Sequence, residues 1–237
     1  DRSFLAARIL LDKINANMII SGAFGLFEKK TVIAVGGYDN STMGEDMELV
    51  VRLHEFSRMN RKPYKIHFAQ DAICWSQTPE KLSELCKQRK RWQRGLFQCM
   101  WGHRKMLANP RYGAVGLLSY LYFLLYELLS PFIELLGVLT MVLSVVMDML
   151  NVKFMLVFLA CYALYGILLT LTAYFSRIYT IDQRLSFREL ILAIIACFFE
   201  TTILRFSLAF VRATAFVGYK KNKLNWGKLE RKKMNKI

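Results

Sequence analysis

The 237 residues are 54% apolar with a mean hydropathy of +0.26, yet they carry a formal net charge of +15. This excludes a disordered chain, a collagen-like repeat and a disulfide-stapled secreted domain. It also requires apolar and basic residues to occupy different segments, and they do: Lys153 is the only Lys or Arg in 113–175, whereas the last twenty residues hold eight Lys and Arg against one Glu.

The chain opens at Asp1 without an initiator Met or a signal-like segment, and is expected to be part of a longer protein. Its five cysteines are scattered, with no C-x-x-C pair and no histidine at zinc spacing, so reduced thiols are expected. The basic excess suits an anionic membrane face or an anionic substrate. No nucleic-acid motif is visible, and nucleic acid is not an expected partner.

In chain order, residues 1–110 read as a mixed α/β domain. Residues 4–14 have helical apolar spacing. Residues 17–21, 23–27, 64–68 and 72–75 read as strands or extended pieces. Gly36-Gly37 breaks the chain before Tyr38. The spacing predicts a helix over 45–59, with Met47, Val50, Val51, His54 and Met59 on one side. Thr78-Pro79-Glu80 has the order of a helix start, with Thr78 as N-cap, and that helix is expected to run to about 107. Asn109-Pro110 marks a boundary.

From 113 to 148 the chain is almost continuously apolar, interrupted by Glu127, Pro131 and Glu134. Residues 152–175 are long enough to cross a bilayer core, which takes about 20 apolar residues. A third apolar stretch, 190–211, carries Glu200 and Arg205. The basic loop at 176–188 and the basic tail place 1–110, that loop and 218–237 on the cytoplasmic side. This requires an even number of crossings, although three apolar stretches are present. Either 113–129 and 132–147 each cross, or 190–211 lies at the interface; of these readings an interfacial or half-inserted helix at 113–129 is preferred, with 190–211, which carries charges, the weakest spanning candidate.

Three elements are candidates for chemistry. Gly44-Glu45-Asp46 sets two acids at a helix start after a glycine-rich loop. There they oppose the helix dipole, and a carboxylate so placed also suits a general base. In Gln88-Arg89-Lys90-Arg91-Trp92, helical spacing puts Gln88, Arg91 and Trp92 on one face. An amide, a guanidinium and an indole together suit a diphosphate and a sugar ring, although a basic helix lying on a membrane surface explains the charge equally well. Ser21-Gly22-Ala23 supplies small residues that let backbone approach a ligand, or simply a tight connection. His54, His67 and His103 are isolated and read as packing or surface residues. Glu127 and Glu134 share a helical face and are expected to pair with basic interfacial residues, the alternative being a polar lining for an emerging glycan; Glu200 and Arg205 are spaced to pair with each other or to lie at the headgroups.

The order of these elements is small-residue strand, V-G-G-Y-D (35–39), G-E-D, T-P-E, Q-R-x-R-W, then apolar helices. It resembles the second half of a processive family 2 glycosyltransferase, the group of cellulose, chitin, hyaluronan and poly-N-acetylglucosamine synthases. The Q-x-x-R-W element is its most specific part.

The resemblance implies the acceptor-side half of a GT-A-type α/β domain at 1–110, interfacial and transmembrane helices at 111–217 and a basic cytoplasmic tail at 218–237. It implies a multi-pass protein of the cell membrane with a cytoplasmic catalytic domain, acting on a UDP-sugar donor and a glycan acceptor. Asp46 then matches the catalytic base, with Glu45 beside it. Gln88, Arg89, Arg91 and Trp92 match the element that closes over diphosphate and acceptor, and Ser21, Gly22 and Ala23 match the loop along the acceptor. The family's divalent cation, Mg2+ or Mn2+, is bound through a D-x-D element. No D-x-D occurs in this chain, so the metal ligands are expected outside it and the chain alone is expected to be inactive. The rival readings are a non-processive transferase with a lipid-linked acceptor and a non-catalytic membrane-docked protein.

Overall fold

The computed structural model describes residues 2–219, apart from Ser21, Ala23, Pro63, Gln70, Asp71, Ile73, Trp75 and 182–185. The basic tail and two of the expected site residues, Ser21 and Ala23, lie outside the described residues.

Helix α1 spans Arg2–Lys13, and a short α2 spans Lys29–Ala34. Helix α3 spans Glu45–Met59, with the bounds its periodicity implies. Glu45, Asp46 and Glu48 oppose the positive end of its dipole, and Arg58 sits at the negative end. Its inner face buries Met47, Val50, Val51 and His54, whereas Met59 is 68% exposed and leaves that face.

Helix α4 spans Leu82–Gly102 and starts later than Thr78-Pro79-Glu80 suggests. Lys81 is the residue before it, in extended conformation, and its side chain makes no capping hydrogen bond. Proline biases the residue before it toward extended backbone, and the amphipathic pattern begins only at Leu82. Helix α4 buries Gln93, Leu96, Cys99 and Met100 on one stripe and ends at Gly102, with a separate 3-10 turn at Arg104–Met106.

Among the described residues none of the expected strands forms: 16–20 and 64–69 have no regular secondary structure, and the expected pieces at 23–27 and 72–75 lie partly outside the described residues. A strand exists only through a partner backbone, and here side chains take the groups a ladder would use. The Asn15 amide donates to the Tyr64 carbonyl at 3.1 Å, and its oxygen accepts from the Ile66 N–H at 3.0 Å. Asp12 accepts from the Phe68 N–H at 2.6 Å.

The second half is helical: α5 (Val115–Leu128), α6 (Ser130–Val146), α7 (Val152–Ile181), α8 (Phe187–Phe199) and α9 (Arg205–Ala213). Helix α5 is wound as π turns at Val115–Ser119 and Phe123–Leu128 around one α turn. It meets α6 at a 47° bend at Ser130-Pro131. No single helix among the described residues is long and apolar enough to cross a membrane, although the bent α5–α6 pair passes on length and composition together.

The two halves share one core. Met18, Met47 and Val51 from the first half pack with Leu96, Cys99, Met106, Val115 and Phe123. Helix α9 packs against both α4 and α6.

Candidate active site

The start of α3 and the middle of α4 touch through backbone. A Cβ on Gly95 would lie 2.8 Å from the Gly44 nitrogen and 2.9 Å from its Cα. Real Cβ atoms do not come so close, so the helix crossing requires glycine at 95. A second tie beside it is the Met43 N–H, which donates to Gln98 Oε1 at 2.8 Å. Asp46 lies two residues beyond Gly44. Trp92 lies three residues before Gly95, so it shares roughly the helix face that meets Gly44.

Asp46 is half-buried, and its Oδ1 accepts from the Met47 N–H at 2.9 Å. Its other oxygen borders the chain at Gly22, where a Cβ would lie 2.7 Å from Oδ2. Gly22 itself is exposed. The small-residue segment and the acid motif, far apart in sequence, thus meet at this carboxylate. Glu45 is half-buried beside it.

Arg8 of α1 was not singled out by its sequence pattern. It is 8% exposed, and burial pushes its guanidinium down to about 10, against the charge of Asp46, which raises it. It therefore remains a cation at neutral pH beside the acid motif. Arg8 also lines a cleft with Asn17, Ile19, Tyr122 and Glu127. No periodicity or motif in 4–14 distinguishes Arg8 from a surface arginine.

On α4, the Arg89 guanidinium stacks over the Trp92 ring at 4.7 Å, and the indole is 50% exposed. Burial lowers the Arg89 guanidinium, with Glu127 and Glu200 acting in the opposite direction. Gln88 and Arg91 are half-buried on the same helix. Neither the Asp46 carboxylate nor the Trp92 indole is lost in the apolar interior.

Polar side chains buried around this junction hold its parts in place. His54 Nε2 pairs with the Asn17 carbonyl at 2.8 Å, and burial pushes the ring down to about 4, so it is neutral and donates. His103 stands between Glu55 at 2.7 Å and Glu48 at 3.3 Å. Burial alone lowers this ring, but hydrogen bonds to Glu48 and Glu55 outweigh it and raise the imidazole above its ordinary value. Glu48 also receives Arg52 at 2.7 Å, and Arg52 donates onward to the Val35 and Gly37 carbonyls at 2.6 and 2.7 Å. The V-G-G-Y-D turn is thereby fastened to α3. His103 is thus an ion-pair partner rather than the isolated residue its sequence context suggests.

The acids of the apolar segment, Glu127 and Glu134, pair with basic residues of α9, as expected. Arg212 lies 3.7 Å from Glu127, and Arg205 lies 2.8 Å from Glu134 and 3.0 Å from the Tyr162 hydroxyl. Arg205 thus turns to Glu134 rather than to Glu200.

Among the described residues no group of three or more His, Cys, Asp and Glu could hold a metal ion. Glu48 and Glu55 are already engaged with His103 and are not free to ligate a cation together.

This geometry sits in a chain whose residues 2–217 match the profile of glycosyl transferase family group 2. The chain belongs to that family, a class of GT-A-type glycosyltransferases. It is 37% identical over 90 residues to the poly-beta-1,6-N-acetyl-D-glucosamine synthase of Staphylococcus aureus (strain COL), a match covering 38% of this chain and 19% of that protein. It is 36% identical over 90 residues to the enzyme of the same name from Staphylococcus epidermidis (strain ATCC 35984), with the same coverage. The chain therefore spans about a fifth of the length of these curated relatives. No solved structure gives a significant match.

Proposed function

We propose that this chain is the acceptor-side part of a membrane-bound, inverting glycosyltransferase. The whole protein extends a β-linked glycan from a UDP-sugar at the cytoplasmic face and passes the product across the bilayer as it grows. The observation that carries this reading is the meeting of Gly22 with the Asp46 carboxylate. A residue without a side chain there leaves the acid bordered by open backbone, which is what a base facing an acceptor hydroxyl needs. The Gly44–Gly95 crossing supports it by holding the Arg89–Trp92 turn near the same helix start.

In this mechanism the acceptor oxygen attacks the anomeric carbon of the donor. Asp46 takes the hydroxyl proton, the bond from that carbon to the diphosphate breaks, and its electron pair leaves with the nucleoside diphosphate. A base of this kind contributes about 10²–10⁴-fold. Glu45 adds negative charge on the acceptor side. Gln88, Arg89 and Arg91 hold the departing diphosphate with donors and positive charge. Trp92 offers its exposed face to the terminal acceptor sugar, and Ser21, Gly22 and Ala23 line the acceptor path. A divalent cation, as the family implies, is held by residues outside this chain, and no step here is routed through it.

The large apolar side chains exposed on α6 and α7 support a bilayer around the second half. Val146 is 76% and Phe154 is 71% exposed, in surfaces larger than a soluble protein ordinarily leaves to water.

Asp46→Asn in the full-length protein tests the reading. Membranes carrying it should incorporate radiolabel from UDP-N-acetylglucosamine, the first donor to try given the relatives' names, about 10³-fold more slowly than wild type. Undiminished incorporation by the variant removes Asp46 from the mechanism. Trp92→Ala should shorten the product on a gel, and unchanged length argues against stacking on the acceptor.

A further inference from the structure

The 47° bend between α5 and α6 leaves two backbone carbonyls without their helical donors. In the π turn that ends α5, the Glu127 and Leu128 carbonyls would accept from the residues five further on, but the Phe132 and Ile133 N–H groups both donate to Leu129, at 3.0 and 3.1 Å, and Pro131 has no N–H to offer in their place. Orphaned carbonyls at apolar depth are costly, and both are satisfied by side chains from elsewhere in the fold. Arg212 of α9 donates through Nη2 to the Glu127 carbonyl, and Gln93 of α4 donates through Nε2 to the Leu128 carbonyl at 2.9 Å. The two side chains also bind each other, with Arg212 Nε donating to Gln93 Oε1 at 2.8 Å. Gln93 is 2% exposed and follows Trp92 directly in the chain.

We propose that Gln93 and Arg212 are positioning residues for the transfer reaction: together they lock the Trp92-bearing turn of α4 to the proline-broken junction of α5 and α6. A glutamine suits this place because its amide donates and accepts at once, joining a carbonyl on one side to a guanidinium on the other. An aliphatic residue at 93 frees both the Leu128 carbonyl and the Arg212 Nε. Lysine at 212 keeps the charge but lacks the planar fork that reaches Gln93, the Glu127 carbonyl and the Glu127 carboxylate together. The lock acts on Trp92 through the backbone and touches neither substrate. The proposal rests on the glycosyltransferase reading for its consequence, not for its geometry.

The full-length, membrane-reconstituted protein and its Gln93→Ala, Arg212→Lys and double variants provide the test. The first readout is hydrogen–deuterium exchange, which needs no activity. Gln93→Ala should speed exchange in the peptides covering 91–96 and 129–133 together, and Arg212→Lys should do the same. Unchanged exchange at 129–133 in Gln93→Ala overturns the lock.

The second readout is kinetics on a soluble β-linked oligosaccharide acceptor. Misplacing a positioned group by about 1 Å costs up to roughly 10²-fold. Gln93→Ala should therefore raise the acceptor KM by about tenfold and the UDP-sugar KM by clearly less, because Trp92 adjoins Gln93 directly whereas the diphosphate is held by several donors spread over 88–91. The double variant should be no worse than the weaker single, because the two side chains act as one unit. Equal loss for donor and acceptor, or additive losses, reduces the pair to general structural support and overturns the positioning role. Failure of Asp46→Asn to slow incorporation sinks the catalytic reading while leaving the exchange result standing, so the two failures are distinguishable.

Discussion

The region around α3 and α4 and the region of α6 to α8 solve opposite solvation problems. In the first, buried histidines meet named partners, as His54 meets the Asn17 carbonyl and His103 meets Glu48 and Glu55. In the second, large apolar side chains such as Val146 and Phe154 are exposed among the described residues, and polar pairs include Arg205 with Glu134. The first region is organised against water by its own hydrogen bonds. The second leaves apolar surface that the described chain does not itself cover. The α4–α9 contact joins them, with Arg94 donating to the Ala215 carbonyl at 2.7 Å and Gln93 meeting Arg212.

One substitution made in both regions gives the sharpest contrast. Leu26 is 102% exposed in the first and Leu159 is 50% exposed on α7. Leu159→Arg should cost about 3 kcal/mol of membrane insertion, read as loss of protein from the alkali-resistant membrane fraction, because a cation on a lipid-facing helix is expensive. Leu26→Arg should change that fraction by nothing measurable. Equal behaviour of the two breaks the comparison.

Within the first region, Gly22→Ala should lower incorporation by about 10²-fold with the thermal midpoint nearly unchanged, since its Cβ would displace the Asp46 carboxylate. Gly95→Ala differs in kind, because its Cβ would strike backbone rather than a side chain. It should cost about 2 kcal/mol of stability in thermal unfolding, as overpacked sites do.

The smallest effect is on pH dependence. His54 folds neutral with its titration pushed down to about 4, so the unfolded chain binds the extra proton between about 4 and the ordinary value of 6.5. Stability from this group is present above 6.5 and is lost as pH falls toward 4. At about pH 5.5 the loss should be about 1 kcal/mol, and His54→Gln, which keeps a donor without titrating, should remove it. His103, raised by its two glutamates, acts in the other direction: its contribution is present below its ordinary value and is lost as pH rises through the raised one. A His54→Gln variant whose midpoint falls between neutral pH and pH 5.5 as much as the wild type's rejects the His54 assignment.

Much of this was legible in local pattern. The bounds of α3, the amphipathic stripe of α4 and the charge segregation follow from helical periodicity and composition, which depend on neighbours three or four residues apart. The expected strands at 17–21 and 64–68 misled because a strand is defined by a distant partner, and the Asn15 and Asp12 side chains took that partner's place. Among the proposed site residues, Asp46, Glu45, Gln88, Arg89, Arg91 and Trp92 stand out by motif. Arg8, Gln93 and Arg212 were not, since each gains its role from contacts with segments remote in sequence.

The sequence by itself determined which segments are helical, which are apolar enough to avoid water and which short motifs concentrate acids, arginines and an indole. Only the tertiary structure decided that Gly44 and Gly95 touch, that Gly22 borders Asp46 and that Gln93 and Arg212 close the break made by Pro131. The physical reason is range: helix formation and hydropathy are sums over local residues, whereas close backbone approach and the satisfaction of an orphaned carbonyl depend on which distant surfaces pack together.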